Sequence, residues 1–360
     1  MFRGSLGRLP ARAVSRSQRW RTRGREDVSW LYAGPYPWIP PMRGRGLWSS
    51  VGVVRYPVAE KVVLVTGATG GIGSAMARAL WASGANLVLT GRRWDVLRAL
   101  ATEVGDDRTL AMTADVSDRQ SLDAVVGAAT DRFGGVDVVI ANAGVLVERP
   151  TTIAAADERE FERVIEVDLL GAWHTVRAAL PQIIARRGHV LLTSSIFAYC
   201  NGVVNAAYAV SKAGVEQLGR ALRAELAPHG ATAGVLYPGW TYTPMIKAAF
   251  GGSPAATEML RHAYPKALRT PIPPERVAAA TVRGIERRSA RIIVPARWMP
   301  ISLLRGIVNA VTDPVLERDP TIKQLILELE QNADAYGSPH RGGPGDGQSP
   351  AAHSQAGVSA

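Results

Sequence analysis

Three side chains near the middle of the chain have the types and spacing needed to move a proton to or from a reacting oxygen. Tyr208 and Lys212 are four residues apart in a helical stretch, so both lie on one helix face, and Ser195 precedes Tyr208 by thirteen residues. A tyrosine hydroxyl can supply the proton that a newly formed alkoxide needs, although its ordinary pKa is about 10. A neighbouring ammonium lowers that pKa, and a serine hydroxyl can hold the reacting oxygen by a hydrogen bond. We therefore predict that Tyr208, Lys212 and Ser195 are catalytic and that the pKa of Tyr208 is lowered.

A glycine-rich stretch is the second feature with a chemical meaning. It lies between the apolar run Val62–Thr66 and a helical stretch that begins at Ile72. Glycines let the backbone turn tightly and approach a pyrophosphate, and the first turn of the following helix offers unpaired N–H groups. Glycine clusters alone are common, but the position of this one predicts a dinucleotide site. The residues expected to contact the cofactor here are Thr66, Gly67, Thr69, Gly71, Ile72 and Gly73.

The elements that must position these groups alternate along the chain. Short, nearly all-apolar runs separated by helical stretches are typical of parallel strands buried on both faces. We therefore predict an α/β fold, a doubly wound Rossmann-type parallel sheet of about seven strands, with its ligand at the carboxyl ends of the strands. The predicted strands are Val62–Thr66, Asn86–Thr90, Thr109–Ala114, Val136–Ala141, His189–Thr193, Thr232–Tyr237 and Ile292–Val294. The predicted helices include Ile72–Ser83, Trp94–Val104, Arg119–Phe133, Asp157–Arg186 and Ala206–Ala227.

The glycine-rich turn and the Tyr-x-x-x-Lys pair resemble the motifs of the short-chain dehydrogenase/reductase family. Thr-Gly-x-x-x-Gly-Ile-Gly at 66–73 looks like the cofactor signature of that family, and the similarity runs from about Lys61 to Pro295. The resemblance implies a dehydrogenase domain that acts on CH–OH and C=O groups with NAD(P), with Tyr208 as acid/base and Lys212 holding the nicotinamide ribose. The positive nicotinamide of NADP⁺ would add to the Lys212 ammonium in lowering the pKa of Tyr208. Further family-like motifs follow in the expected order: Asp115-Val116, Asn142-Ala143-Gly144, Ser195, Tyr208 with Lys212, Pro238-Gly239 and Thr243.

The resemblance also implies cofactor contacts after the third, fourth and sixth strands. Asp115 would contact the adenine and Val116 would line the same pocket, with helix capping as an alternative for Asp115. The small residues of Asn142–Gly144 would leave room for the cofactor, and Asn142 would brace neighbouring strands. Thr243 would bind the nicotinamide carboxamide, and the turn at Pro238 and Gly239 would pass beside the ring.

The end of the second strand indicates which nicotinamide cofactor is used. An acidic residue there would bind the adenosine ribose and repel a 2′-phosphate, but the chain has Gly91, Arg92 and Arg93 at this point. A guanidinium matches a phosphate in charge and in fork geometry. We therefore predict a preference for NADP(H), with Arg92 as the main 2′-phosphate contact and Arg93 in support. The alternative is a pair of solvated loop arginines.

One position departs from the family pattern. Family members commonly carry a fourth catalytic residue, an Asn, where this chain has Asp168. The resemblance implies that this residue supports a water-mediated proton relay to the lysine, partly through its backbone carbonyl. A carboxylate there would raise the pKa of Lys212 and offset its effect on Tyr208. We expect a retained relay with an altered pH dependence.

Apolar residues after the sixth strand indicate the substrate. We predict a mobile lid over 240–274, with the core packing of short helices as an equal alternative. Its apolar content favours a hydrophobic alcohol, aldehyde or ketone, whereas an NADP-binding regulatory or scaffold protein of the same fold is the alternative function. The apolar lid residues are Met245, Ile246, Phe250, Met259, Leu260 and Tyr264.

The positive charge of the chain lies mainly in an N-terminal extension. Residues 1–60 contain 11 Arg and 3 acidic residues and carry +8 of the net +11, so we expect no nucleic-acid partner for the nearly neutral body. The first 25 residues hold eight Arg and no acid, as in a transit peptide, but lack its apolar face. Organelle targeting and a start codon assigned too far upstream both stay open. We expect a cytoplasmic protein, and the lone Cys200 and scattered histidines predict no metal site.

The chain divides into a folded domain with flanking segments. Residues 1–57 contain prolines that oppose a regular helix, and 333–360 has the composition of a disordered tail. Between them we predict a Rossmann-type domain over 58–296 and a C-terminal helical segment over 297–332. The apolar stretch 298–311 could pack on the body, join the interface of a homodimer or homotetramer, or lie on a membrane surface, and we favour the first two.

Overall fold

The computed structural model describes residues 55–246 and 253–335, with side chains up to 332. The extensions predicted at the two ends fall almost entirely outside the described residues, as does Phe250 of the predicted lid.

A parallel sheet of seven strands lies at the centre, in the order β3-β2-β1-β4-β5-β6-β7. The predicted doubly wound sheet is confirmed. The largest difference is at β4, which starts at Val138 because the Val136 N–H donates to the Gln182 side chain at 2.6 Å instead of joining the ladder. The strands are β1 (Val62–Thr66), β2 (Asn86–Gly91), β3 (Thr109–Thr113), β4 (Val138–Ala141), β5 (His189–Thr193), β6 (Thr232–Pro238) and β7 (Arg291–Val294).

Helices cover both faces of the sheet. Side chains alternate along β1, so that Val63 and Val65 belong to one hydrophobic core whereas Val62 and Leu64 belong to the other. All four are buried, which is why the strand is apolar without interruption. The helices are α1 (Gly71–Ala82), α2 (Trp94–Val104), α3 (Arg119–Phe133), α4 (Glu158–Ile165), α5 (Gly171–Ala185), α6 (Ala206–Leu226), α7 (Pro254–Ala263), α8 (Lys266–Arg269), α9 (Pro274–Glu286), α10 (Met299–Leu303), α11 (Arg305–Arg318) and α12 (Pro320–Ala335).

The strand order reverses between β1 and β4. From β1 the chain runs outward to β2 and β3, and from β4 it runs the other way to β7. Connections on opposite sides leave a crevice at the carboxyl ends of these two strands, where doubly wound proteins bind their ligands. The glycine-rich turn follows β1 and Asn142 follows β4, so both motifs border that crevice.

The helix predicted over 157–186 contains a π-helical turn. Helix α4 continues through Glu166–Leu170 in the π conformation and then into α5. A π turn inserts an extra residue into the helical repeat and occurs often at functional sites. Asp168 lies in this turn and is 1% exposed.

The C-terminal segment packs on the body only in part. Trp298 is fully buried, but Leu303, Ile307 and Val311 are more than half exposed, so packing on the body does not account for these three and the subunit and membrane alternatives stay open for them. Helix α11 is held instead by Arg305, which donates hydrogen bonds to both carboxylate oxygens of Glu216 on α6 at 2.6 and 2.9 Å. Among the described residues, no helix combines the length and the apolar character required to span a bilayer.

Candidate active site

A cavity of about 460 Å³ opens at the carboxyl ends of the central strands. Two predicted site residues, Thr66 and Asp168, do not line it and lie behind its wall. All the others line it: Gly67, Thr69, Gly71, Ile72, Gly73, Arg92, Arg93, Asp115, Val116, Asn142, Ala143, Gly144, Ser195, Tyr208, Lys212, Pro238, Gly239 and Thr243.

The turn between β1 and α1 forms a cradle that only glycine permits. Gly67 has a φ of +64°, and a Cβ there would lie 2.7 Å from the Ala143 Cα. A Cβ on Gly73 would lie 2.2 Å from the Gly67 carbonyl oxygen. The turn leads into the first turn of α1, whose free N–H groups and partial positive charge suit a pyrophosphate. These residues therefore fit a nicotinamide dinucleotide.

Thr66 and Asn142 brace the three strands under the cavity. The Thr66 hydroxyl accepts hydrogen bonds from the Asn142 and Ala143 N–H groups at 3.1 and 3.2 Å. The Asn142 side chain donates to the Thr66 carbonyl oxygen at 3.1 Å and accepts from the Thr193 hydroxyl at 3.3 Å. The Thr66 hydroxyl is thus engaged with the backbone that follows β4, and the residue does not line the cavity. Its cofactor contact stays a prediction.

Charged side chains lie at the rim of the cavity that follows β2 and β3. Arg92 and Arg93 are exposed after β2, and Arg93 donates to the Thr69 carbonyl oxygen at 3.3 Å. Asp115 accepts from the Ser117 N–H and hydroxyl at 3.0 and 2.7 Å. Burial acts to raise the pKa of Asp115, but these hydrogen bonds and the positive charge of Arg92 together outweigh burial and hold the pKa below its ordinary value. Asp118, not Asp115, caps α3 by accepting from its backbone.

A buried ion pair lies beside the Tyr208 side chain. The Lys212 ammonium is 2.9 Å from Asp168 Oδ2, while Asp168 Oδ1 accepts from the Val145 N–H at 2.7 Å. Burial acts to lower the pKa of Lys212, but the Asp168 carboxylate outweighs burial and raises it. Burial raises the pKa of Asp168 itself, against the opposing effect of the ammonium. The carboxylate of Asp168 therefore favours the charged form of Lys212.

Tyr208 lies beside this pair in a largely apolar setting. The Lys212 ammonium is 5.3 Å from the centre of its ring. Burial raises the pKa of Tyr208, Lys212 and a hydrogen bond with Ser195 act to lower it, and Asp168 acts to raise it. Among the described residues the net shift is upward, because burial and Asp168 together outweigh the ammonium and the hydrogen bond with Ser195. The predicted lowering also counted the positive nicotinamide of NADP⁺, so it stays a prediction.

Ser195 is positioned by the turn that follows β5. Its hydroxyl accepts from the Phe197 N–H at 3.2 Å and begins the short helical turn Ile196–Ala198. The hydroxyl of the preceding residue, Ser194, donates to the Lys212 carbonyl oxygen at 2.7 Å and connects α6 to the end of β5. Ser195, Tyr208 and Lys212 thus meet on one wall, an arrangement able to hold an oxygen and exchange a proton with it.

Several residues of the substrate side were missed or only partly foreseen from sequence. Phe197 lines the cavity and contacts the Tyr208 ring edge-on at a 6.0 Å centroid distance. Its position between Ser195 and Tyr208 was the available signal. Among the predicted lid residues, Met245, Ile246 and Leu260 line the cavity, whereas Met259 and Tyr264 pack in the core or against aromatic rings.

Comparisons with known proteins agree with this geometry. The family model for short chain dehydrogenases matches residues 61–252. The trans-4-hydroxycyclohexanecarboxylate dehydrogenase of Sinomonas cyclohexanicum is 38% identical over 208 residues, which are 55% of this chain and 80% of the relative.

Two solved structures share the fold. The alcohol dehydrogenase of the archaeon Thermococcus sibiricus, solved with 5-hydroxy-NADP, is 29% identical with a TM-score of 0.56, covering 65% of this chain and 95% of that one. A short chain dehydrogenase/reductase of Burkholderia phymatum, solved with NAD, is 23% identical with a TM-score of 0.62, covering 74% and 98%. The chain therefore belongs to the short chain dehydrogenase family and is an oxidoreductase with an NAD(P)-binding Rossmann fold.

Proposed function

We propose that this chain is an NADP(H)-dependent oxidoreductase that interconverts a hydrophobic alcohol and its carbonyl compound, with Tyr208 as acid/base. The observation that carries this proposal is the meeting of Tyr208, Lys212 and Ser195 on one wall of a cavity whose lining also includes the glycine cradle. A nicotinamide cofactor bound there would supply the hydride in reduction and accept it in oxidation. The Gly67–Gly73 cradle would hold its pyrophosphate.

Each of the three side chains has a separate task. Tyr208 gives its hydroxyl proton to the carbonyl oxygen in reduction and takes a proton from the alcohol in oxidation. Ser195 donates a hydrogen bond to the same oxygen and keeps it beside Tyr208. Lys212 carries a positive charge that favours the tyrosinate, and it would hold the nicotinamide ribose. Asp168 raises the pKa of Lys212 and holds its ammonium in place.

The preference for NADP(H) is supported by Arg92. Its side chain is exposed directly after β2, and its positive charge acts on Asp115 at the same rim of the cavity. Arg93 is partly engaged with Thr69, which suits a supporting contact. One of the two solved structures holds an NADP analogue and the other holds NAD, and the name of the Sinomonas relative gives no cofactor. The assignment of NADP(H) therefore depends on these arginines.

The proposal is tested by NADPH consumption with a panel of apolar aldehydes and ketones, using Tyr208→Phe as the control. We expect turnover in the natural chain and its loss in the variant. Tight NADPH binding without turnover of any member would favour the regulatory or scaffold alternative. Turnover that persists unchanged in Tyr208→Phe would overturn the assigned acid/base.

We also propose a homodimer or homotetramer in the cytoplasm. Dehydrogenases of this family are commonly oligomeric, and the exposed apolar residues of α11 support a contact with another surface. Light scattering of the purified chain measures the subunit number. A monomer at micromolar concentration, bound to sedimenting vesicles, would favour the membrane alternative for this helix.

A further inference from the structure

The substrate half of the cavity is lined mainly by apolar side chains. Beyond the cofactor motifs, its wall includes Leu146, Phe197, Val204, Trp240, Ile246 and Leu260, whereas Asn205 and Thr241 add the uncharged polar groups. Such a lining binds apolar carbon and gives little compensation to a polar group that loses its water.

Charged side chains that line the cavity lie elsewhere or are already paired. Arg92, Arg93 and Asp115 follow β2 and β3, and β2 is separated from β5 by β1 and β4, roughly 14 Å at about 4.8 Å per strand. Lys212, the remaining described charged side chain in the wall, is 2.9 Å from Asp168. A substrate carboxylate near the reacting carbon would therefore meet no unpaired cation among the described residues of the wall.

Arg163 is the described cation behind this part of the wall. It donates to the Leu146 carbonyl oxygen at 3.1 Å and does not itself line the cavity. The Leu146 backbone thus lies between its guanidinium and a bound substrate. Arg163 supports the wall without offering an anion contact.

Two aromatic rings form a fixed corner next to the proton donor. Phe197 contacts Tyr208 and Trp240 edge-on, with centroid distances of 6.0 and 6.4 Å and interplanar angles of 77° and 88°. Trp240 is 3% exposed and is held by Tyr264 and Trp298 at 5.2 and 5.6 Å. A rigid corner favours a rigid apolar ring, because a flexible chain loses more conformational entropy when it is fixed against the same area.

We propose that the substrate is an uncharged carbocyclic alcohol or ketone, and that Phe197 and Trp240 select its ring. This rests on the proposed function and names the substrate class for the same site. The name of the Sinomonas relative states a substrate with a cyclohexane ring that bears a carboxylate. The substrate proposed here shares the ring and lacks the carboxylate.

A matched pair of substrates tests the charge. The methyl ester of 4-oxocyclohexanecarboxylate and the free acid share the same ring and the same reducible ketone. Comparing their kcat/KM values with NADPH therefore isolates the effect of the carboxylate charge. We expect the ester to be favoured by about 100-fold, because the acid must bury an unpaired charge. An acid used as well as the ester overturns the proposal. If that acid activity vanished in Lys247→Ala, the anion contact would belong to Lys247, which lies outside the described residues.

A variant of the corner tests the ring. We expect Phe197→Ala to lower the ratio of kcat/KM for 4-methylcyclohexanone over that for hexanal by about 10-fold. Leu327→Ala, which removes an exposed apolar side chain of α12 that does not line the cavity, should leave the ratio unchanged. Thermal melting of both variants separates selection from misfolding, and a ratio unmoved in folded Phe197→Ala overturns the assignment.

Failure of the proposed function is distinguishable from failure of this inference. Absence of turnover for every compound in the presence of either nicotinamide cofactor counts against the function. The affinities of the ester and the acid for the NADPH-loaded chain, measured by calorimetry, still test the inference. Tighter binding of the ester supports it, and equal or tighter binding of the acid overturns it.

Discussion

Asp168 Oδ2 and the Lys212 ammonium are 2.9 Å apart, and both side chains are almost completely buried. The two residues belong to different helical segments: Asp168 lies in the π turn between α4 and α5, and Lys212 lies on α6. An Asn at this position would keep an oxygen for the Val145 N–H but would remove the negative charge. The charge at position 168 is therefore separable from the shape of the site.

The first prediction concerns the pH dependence of alcohol oxidation, which requires tyrosinate. The Asp168 carboxylate acts to raise the pKa of Tyr208, so Asp168→Asn should lower that pKa and move the rising limb of kcat/KM to lower pH. A pH profile at saturating NADP⁺ measures the shift.

Asp137→Asn is the matched control for this shift. Asp137 is also a buried aspartate in an ion pair, with Arg186 at 3.0 Å, but it lies at the amino end of β4. Its variant should lose stability and keep the natural pH profile. Identical profiles for the natural chain and Asp168→Asn would show that the carboxylate does not act on Tyr208.

A second prediction follows from the arginines after β2. Arg92→Ala should reduce the ratio of kcat/KM for NADPH over NADH by about 10-fold or more, because one charge-assisted phosphate contact is lost. Arg93→Ala should reduce it less, since Arg93 also bonds to the Thr69 carbonyl oxygen. Initial rates with both cofactors decide, and a ratio below one in the natural chain would refute the NADP(H) preference.

The hydroxyl of Tyr208 is the subject of a third prediction. Tyr208→Phe should lower kcat by about 100- to 10,000-fold, the usual contribution of a general acid, while keeping the ring against Phe197. NADPH affinity, followed by fluorescence titration, should change little. A variant that lost affinity and turnover together would point to a collapsed site instead of a missing proton donor.

Two glycine-to-alanine substitutions should change the free energy of unfolding in opposite directions. A Cβ on Gly73 would lie 2.2 Å from the Gly67 carbonyl oxygen, so Gly73→Ala should destabilise the fold by about 2 kcal/mol or more and weaken NADPH binding. Gly127 lies exposed in α3 with nothing within 4 Å of a Cβ, so Gly127→Ala should stabilise by about 0.5–1 kcal/mol. Urea unfolding gives both values, and destabilisation of the two variants by similar amounts would contradict the cradle geometry.

The sheet and the order of its motifs were predictable from the sequence because their causes are local. Strands buried on both faces are nearly all apolar, as residues 62–65 of β1 are, and a tight turn such as that at Gly67 requires glycine. Tyr208 and Lys212 share a face because they are four residues apart in one helix. Each of these facts depends on neighbours along the chain.

Only the tertiary structure decided which groups face each other across elements. It turned Asp168 against Lys212 through a π turn, placed the Thr66 hydroxyl under the cavity instead of in its wall, and left Ile307 exposed. It also set Phe197 edge-on to Trp240, forty-three residues later in the chain. Such distances depend on how separately formed helices and strands pack, and the balance of burial and charge that sets the pKa of Tyr208 follows from that packing.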